Sequence, residues 1–197
     1  MLTDWLRRLS RGVLDPTARA LIRIGLTANT VTLLGGLFNI GVGVIIALGH
    51  LRLGGALLIA ASALDALDGA VARQSGKATR FGAFFDSTLD RVSEVAIFAG
   101  LLWHYMALGQ PANALFSFLA LAGSVMVSYT RARAEGLGID CKVGWFTRVE
   151  RSILTVAALI LGVMPYAQWL LAAGTWWTTV QRILHVRRAV KDEPLTP

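Results

Sequence analysis

Apolar residues run along this chain in six stretches, at roughly 29 to 49, 53 to 73, 84 to 108, 112 to 130, 150 to 164 and 165 to 184, divided by short polar connections. A helix needs about 20 mainly apolar residues to cross the hydrocarbon of a bilayer, so the pattern predicts six transmembrane helices. Upstream, Trp5, Leu6, Leu9, Val13, Leu14, Leu21 and Ile22 are interleaved with Arg7, Arg8, Arg11, Arg19 and Arg23, which suits an amphipathic helix lying in the membrane interface. Asp15 before Pro16 reads as an N-cap and first helical position, so this segment is expected to break in two there. Thr27 and Asn29 are placed to cap the first span. The expected fold is an all-α integral membrane protein, with a juxtamembrane segment over 1–25, a six-helix domain over 26–190 and a tail over 191–197.

Composition sharpens this picture. Of 197 residues, 55% are hydrophobic and 16% charged, and the mean hydropathy is +0.59, a balance foreign to soluble domains. The 19 Lys and Arg against 12 Asp and Glu give +7, which in a soluble protein would suggest a nucleic-acid partner. Here the distribution argues otherwise: with the N-terminus in the cytosol, every Lys and Arg except Arg52 falls on the cytosolic side. That bias follows the positive-inside rule, so the expected partner is the lipid bilayer and not nucleic acid. The expectation is a multi-pass protein of the cytoplasmic membrane with both termini cytosolic. Arginines recur where a signal peptide would carry its apolar core, so the N-terminus is expected to remain in the mature protein. Cys141 is alone, and His50, His104 and His185 are too far apart to form a local metal motif.

Carboxylates in a membrane helix are costly enough to suggest function. Asp65 and Asp68 lie three residues apart near the cytosolic end of the second span, and Asp86 and Asp90 four apart at the start of the third. Each pair shares one helical face, and the short connection Arg73 to Gly82 lets the pairs converge. Asp68 lies about 7 Å from the helix end, near headgroup depth. Carboxylates so placed are either partly protonated or held together by cations. An all-oxygen set favours Mg²⁺, Mn²⁺ or Ca²⁺ over zinc, and a lipid diphosphate would supply further oxygens. Gly69 and Gly82 allow close backbone approach, and Arg73 can neutralise a phosphate. A divalent-cation transporter is the competing class, but it needs acidic residues along a continuous path, and these lie at one depth.

In order, Asp65, Asp68, Gly69, Ala72, Arg73, Gly82, Asp86 and Asp90 form D-x2-D-G-x2-A-R-x8-G-x3-D-x3-D. This pattern resembles the signature of the CDP-alcohol phosphatidyltransferase family. The resemblance implies six helices around a polar cavity open to the cytosol, and transfer of a phosphatidyl group from a CDP-linked lipid to an alcohol with release of CMP. It implies two divalent cations, Mg²⁺ or Mn²⁺, on Asp65, Asp68 and Asp86, with Asp90 as a further ligand or as the base that deprotonates the acceptor. It also implies that Gly69, Ala72, Arg73 and Gly82 flank the nucleotide, with Asn29 and Thr32 on the same side, and that the protein is a homodimer. One departure is Thr27-Ala28-Asn29, where relatives often carry Pro in the middle position.

The run Arg131-Ala132-Arg133-Ala134-Glu135-Gly136, with Glu150-Arg151 and Gln181-Arg182, resembles the branch of the family that takes inositol phosphate, although that branch often has Lys in place of Arg131. By that resemblance Arg131, Arg133, Arg151 and Arg182 bind the acceptor phosphate. The expected substrates are CDP-diacylglycerol, or CDP-archaeol in an archaeal version, and inositol phosphate, giving phosphatidylinositol phosphate. Phosphatidylglycerophosphate synthesis is the nearest alternative, since glycerol phosphate also wants a cationic pocket.

Overall fold

The computed structural model describes residues 14–190, which form helices and connections with no strand among them. A helix over 14–23, α1, precedes α2 (Ala28–Ala47), α3 (Leu51–Ser75), α4 (Arg80–Ala107), α5 (Pro111–Glu135), α6 (Arg148–Leu161) and α7 (Met164–Ala189). The last six fall on the six apolar runs. By length and composition α2, α3 and α5 suffice to cross a membrane. The more charged α4 and α7 have 28 and 26 residues, and α6 has only 14.

Two compact units make up the chain: Met1–Val44 with Ala56–Ile97, and Ile45–Gly55 with Phe98–Pro197. In the first, α1 turns Leu14, Ala18, Leu21 and Ile22 onto Ala70 and Val71 of α3 and leaves Arg19 and Arg23 exposed. This is the amphipathic arrangement that the pattern of arginines implies. The N-cap assignment of Asp15 needs correction, because Leu14 is already helical and Asp15 lies inside the first turns. Its carboxylate instead accepts a hydrogen bond from Gln74 Nε2 at 2.9 Å. The apolar and basic positions before Leu14, and the tail after Val190, lie outside the described residues. Thr27 does cap α2, its hydroxyl accepting the Thr30 amide at 3.2 Å, whereas Asn29 is inside the helix.

In the second unit α5 and α7 pack along their length. Ser117 donates to Gln168 at 2.8 Å, the Trp176 indole donates to the Leu119 carbonyl at 3.2 Å, and Phe116 stacks on Trp169. Gly123 permits this approach, since a Cβ there would enter the Thr175 side chain. The α6–α7 connection is tight because Gly162 adopts φ 73, a left-handed helix end that side chains resist.

Candidate functional site

Where α3 ends and α4 begins, the first unit encloses a cavity of about 180 Å³. Asn29 and Thr32 of α2, Asp68, Gly69 and Ala72 of α3, and Gly82 and Asp86 of α4 form its wall. Lys77 and Thr79 of the α3–α4 connection complete the rim. Helical periodicity explains the α3 contribution, since Asp68, Gly69 and Ala72 fall on adjoining strips of one face. Thr32 donates its hydroxyl to Asp68 Oδ2 at 2.8 Å, which fixes the carboxylate from the neighbouring helix. Asp68 is only 8% exposed, and Asp86 and Asp65 are the charges that act on it. Three of the four motif carboxylates therefore share one electrostatic field.

The glycines keep the wall thin. A Cβ on Gly82 would stand 3.2 Å from both Asn29 Oδ1 and Thr79 Oγ1, and one on Gly69 would stand 3.1 Å from Arg73 Nη1. Arg73 thus folds back over Gly69 and is not in the cavity wall. Thr79 accepts the Gly82 amide at 2.9 Å and so caps the first turn of α4. Asp65 lies over Gly35 of α2, and Asp90 sits one turn beyond Asp86 with Arg91 Nη2 at 3.9 Å. Neither lines the cavity.

This donor set suits hard divalent cations in kind: all its acids are carboxylates, and their mutual repulsion is what a cation would relieve. Among the described residues, no three His, Cys, Asp or Glu side chains are already gathered closely enough to hold one ion.

The second unit holds the predicted cationic residues. Arg151 and Arg182 are each 3% exposed. Arg182 donates Nε to the Val143 carbonyl at 3.0 Å and Nη1 to the Val127 carbonyl, while Arg151 donates Nη1 to the Phe146 carbonyl at 3.2 Å. Arg131 and Arg151 are the cations acting on Arg182. Arg131 also pairs with Glu135 at 2.8 Å on the surface. Arg133 is exposed and outside this group, so three of the four arginines come together. Cys141 is buried beside them, and burial pushes its thiol up, which leaves it protonated and a poor nucleophile.

Sequence reasoning missed Lys77 and Thr79. The spacing of Thr79 to Gly82 carries a weak capping signal, whereas Lys77 carries none that sets it apart from a topogenic cation.

Residues 25–181 match the CDP-alcohol phosphatidyltransferase family. The archaetidylinositol phosphate synthase of Methanothermobacter thermautotrophicus is 40% identical over 191 residues, 94% of each chain. A crystal structure of Mycobacterium tuberculosis phosphatidylinositol phosphate synthase with CDP-DAG bound is similar with TM-score 0.88 and 32% identity, covering 93% of this chain and 99% of that one. The same enzyme in complex with manganese and citrate gives TM-score 0.87 and 33% identity, covering 94% and 95%. The motif, the helical frame and these matches agree: the chain belongs to the CDP-alcohol phosphatidyltransferase family.

Proposed function

We propose that this protein transfers the phosphatidyl group of CDP-diacylglycerol to a hydroxyl of inositol phosphate, releasing CMP and forming phosphatidylinositol phosphate. The observation that carries the reading is the cavity walled by Asp68, Gly69, Ala72, Gly82 and Asp86 of the motif with Asn29 and Thr32. Carboxylates beside small residues make a recess for a cation-bound diphosphate and a flat base. The relatives named as inositol phosphate lipid synthases support the acceptor, as does the arginine group in the second unit.

In this reading Asp65, Asp68 and Asp86 hold two divalent cations, Mg²⁺ or Mn²⁺, with Asp90 next to them as a further ligand or as the base. The relative solved with manganese supports the metal class. Bound cations would neutralise the diphosphate and favour attack at its phosphorus. Thr32 keeps the Asp68 carboxylate oriented through its hydroxyl. Asn29, Thr32, Gly69, Ala72, Arg73 and Gly82 flank the nucleotide, and the Arg73 guanidinium beside Gly69 supplies positive charge near its phosphates. The acceptor oxygen bonds to the lipid phosphorus, the bond to CMP breaks, and CMP leaves with the electron pair. Asp90 takes the proton from the acceptor hydroxyl. Arg131, Arg151 and Arg182 grip the acceptor phosphate in forked geometry, and Arg133 adds only distant charge. Helices α2 to α7 cross the cytoplasmic membrane in this reading, both termini and the cavity face the cytosol, and the protein works as a homodimer.

A second donor, CDP-archaeol, is favoured by the 40% identity to the archaeal relative. The test is CMP release from each CDP-lipid with inositol phosphate, free inositol, glycerol phosphate or serine. Release that depends on inositol phosphate supports the reading. Equal or greater rates with glycerol phosphate or free inositol contradict it.

A further inference from the structure

Gly174, Thr178, Arg182 and His185 recur at spacings of four, four and three residues, so they share one face of α7. Each of them meets the connection between α5 and α6. The Phe146 amide donates to Thr178 Oγ1 at 3.0 Å, Arg182 Nε donates to the Val143 carbonyl at 3.0 Å, and His185 Nε2 donates to the Asp140 carbonyl at 3.0 Å. The Phe146 ring fills the space that Gly174 leaves, its Cδ2 only 2.6 Å from where a Cβ would stand. Gly144 has φ +125, and a Cβ there would run into the Thr178 methyl. From α6, Arg151 reaches the same stretch through the Phe146 carbonyl. Thr178 has no solvent exposure.

We infer that Thr178 is a positioning residue for the acceptor: by holding the connection at Phe146 it fixes the Val143 carbonyl on which Arg182 rests, and so aims the rest of that guanidinium. This rests on the acceptor reading above. A guanidinium has five N–H donors in one plane. Arg182 uses donors on the Val143 and Val127 carbonyls, one in the α5–α6 connection and one in α5. Two such anchors set the plane of the fork, so the direction of its free donors follows the position of Val143. Forked contact with a phosphate depends on that direction, whereas simple charge attraction does not. Phe146, whose amide Thr178 holds, also accepts a hydrogen bond from Arg151 through its carbonyl. Thr178 thus acts on Arg182 without needing to touch the phosphate.

Thr178→Val keeps the shape and removes the hydroxyl, and Thr178→Ser keeps the hydroxyl. Because position 178 is tightly packed, His185→Ala, at a half-exposed position, provides a milder release of the other end of the connection. In the full chain, Thr178→Val should raise the KM for inositol phosphate about five- to tenfold, on the scale of one lost hydrogen bond, with the KM for CDP-diacylglycerol unchanged. Thr178→Ser should restore the wild-type value, and His185→Ala should shift the same KM by a smaller factor. Hydrogen exchange of the segment 140–147 should rise in Thr178→Val. Faster exchange with an unaltered inositol phosphate KM, or equal rises in both KM values, would overturn the positioning role. If the wild type does not use inositol phosphate at all, the acceptor reading fails while the exchange measurement still tests the clamp. Unchanged exchange would then remove the clamp too.

Discussion

Replacing Asp68 by Asn should move stability and activity in opposite directions. The side chain keeps its shape, and its amide oxygen can still accept the Thr32 hydroxyl that now reaches Asp68 at 2.8 Å. What disappears is a nearly buried charge on which Asp86 and Asp65 act. Side chains one helical turn apart are separated by about 5 to 6 Å, and two unit charges about 6 Å apart repel by about 3 kcal/mol at an effective dielectric of about 20. Partial solvent exposure of Asp65 and of Asp86 reduces the relief to about 1 to 2 kcal/mol. For a chain of this length that is a rise of about 3 to 6 °C in apparent melting temperature, measured in detergent with EDTA. With Mn²⁺ the order should reverse if Asp68 is a ligand as proposed, because only the wild type then gains from binding. CMP release by the variant should fall at least about a hundredfold, the upper range for losing even an outer partner of a metal ligand. A variant that melts below the wild type in EDTA, or turns over normally with Mn²⁺, would refute the shared-field argument.

Other substitutions separate the remaining roles. Asp90→Asn should leave CDP-diacylglycerol binding intact and lower kcat by about 10² to 10⁴, as loss of a general base does; normal turnover with unchanged metal content would remove it as the base. Arg182→Ala should raise the KM for inositol phosphate at least tenfold and also cost about 1 to 3 kcal/mol of stability, because the Val127 and Val143 carbonyls lose their donor. Arg133→Ala, by contrast, should leave that KM within about twofold in the same assay, since an exposed charge outside the group contributes little. Gly123→Ala should destabilise by about 1 to 3 kcal/mol through overpacking against Thr175, seen as a lower melting temperature with little effect on either KM.

Much of this frame is legible in the sequence because membrane helices must satisfy their backbone internally, so apolar runs and helices nearly coincide. The runs predicted from 29 and 150 appear as helices beginning at Ala28 and Arg148. The Asp15-Pro16 pair misled because Asp-Pro is a capping pair only where the preceding residue is not already helical, and Leu14 is helical. The motif spacing was enough to bring Asp68, Gly69, Ala72, Gly82 and Asp86 to one wall. It could not reveal that Thr32 ties Asp68 down, or that Arg73 folds over Gly69, since both depend on rotamers. Separation of Arg131 from Arg133 was readable in principle: residues two apart on a helix do not face one point. The clamp on Phe146 was not, because it joins a connection to a helix 32 residues further on. The catalytic class rested on a resemblance, which the family match upholds against the transporter alternative.

Transfer of labelled inositol phosphate into lipid is the most direct measure of the central claim. The purified chain, in vesicles carrying CDP-diacylglycerol and Mn²⁺, should convert the label into phosphatidylinositol phosphate with one CMP released per lipid formed, and EDTA should abolish both. CMP release without label in the lipid, or label transfer that persists in EDTA, would contradict the account.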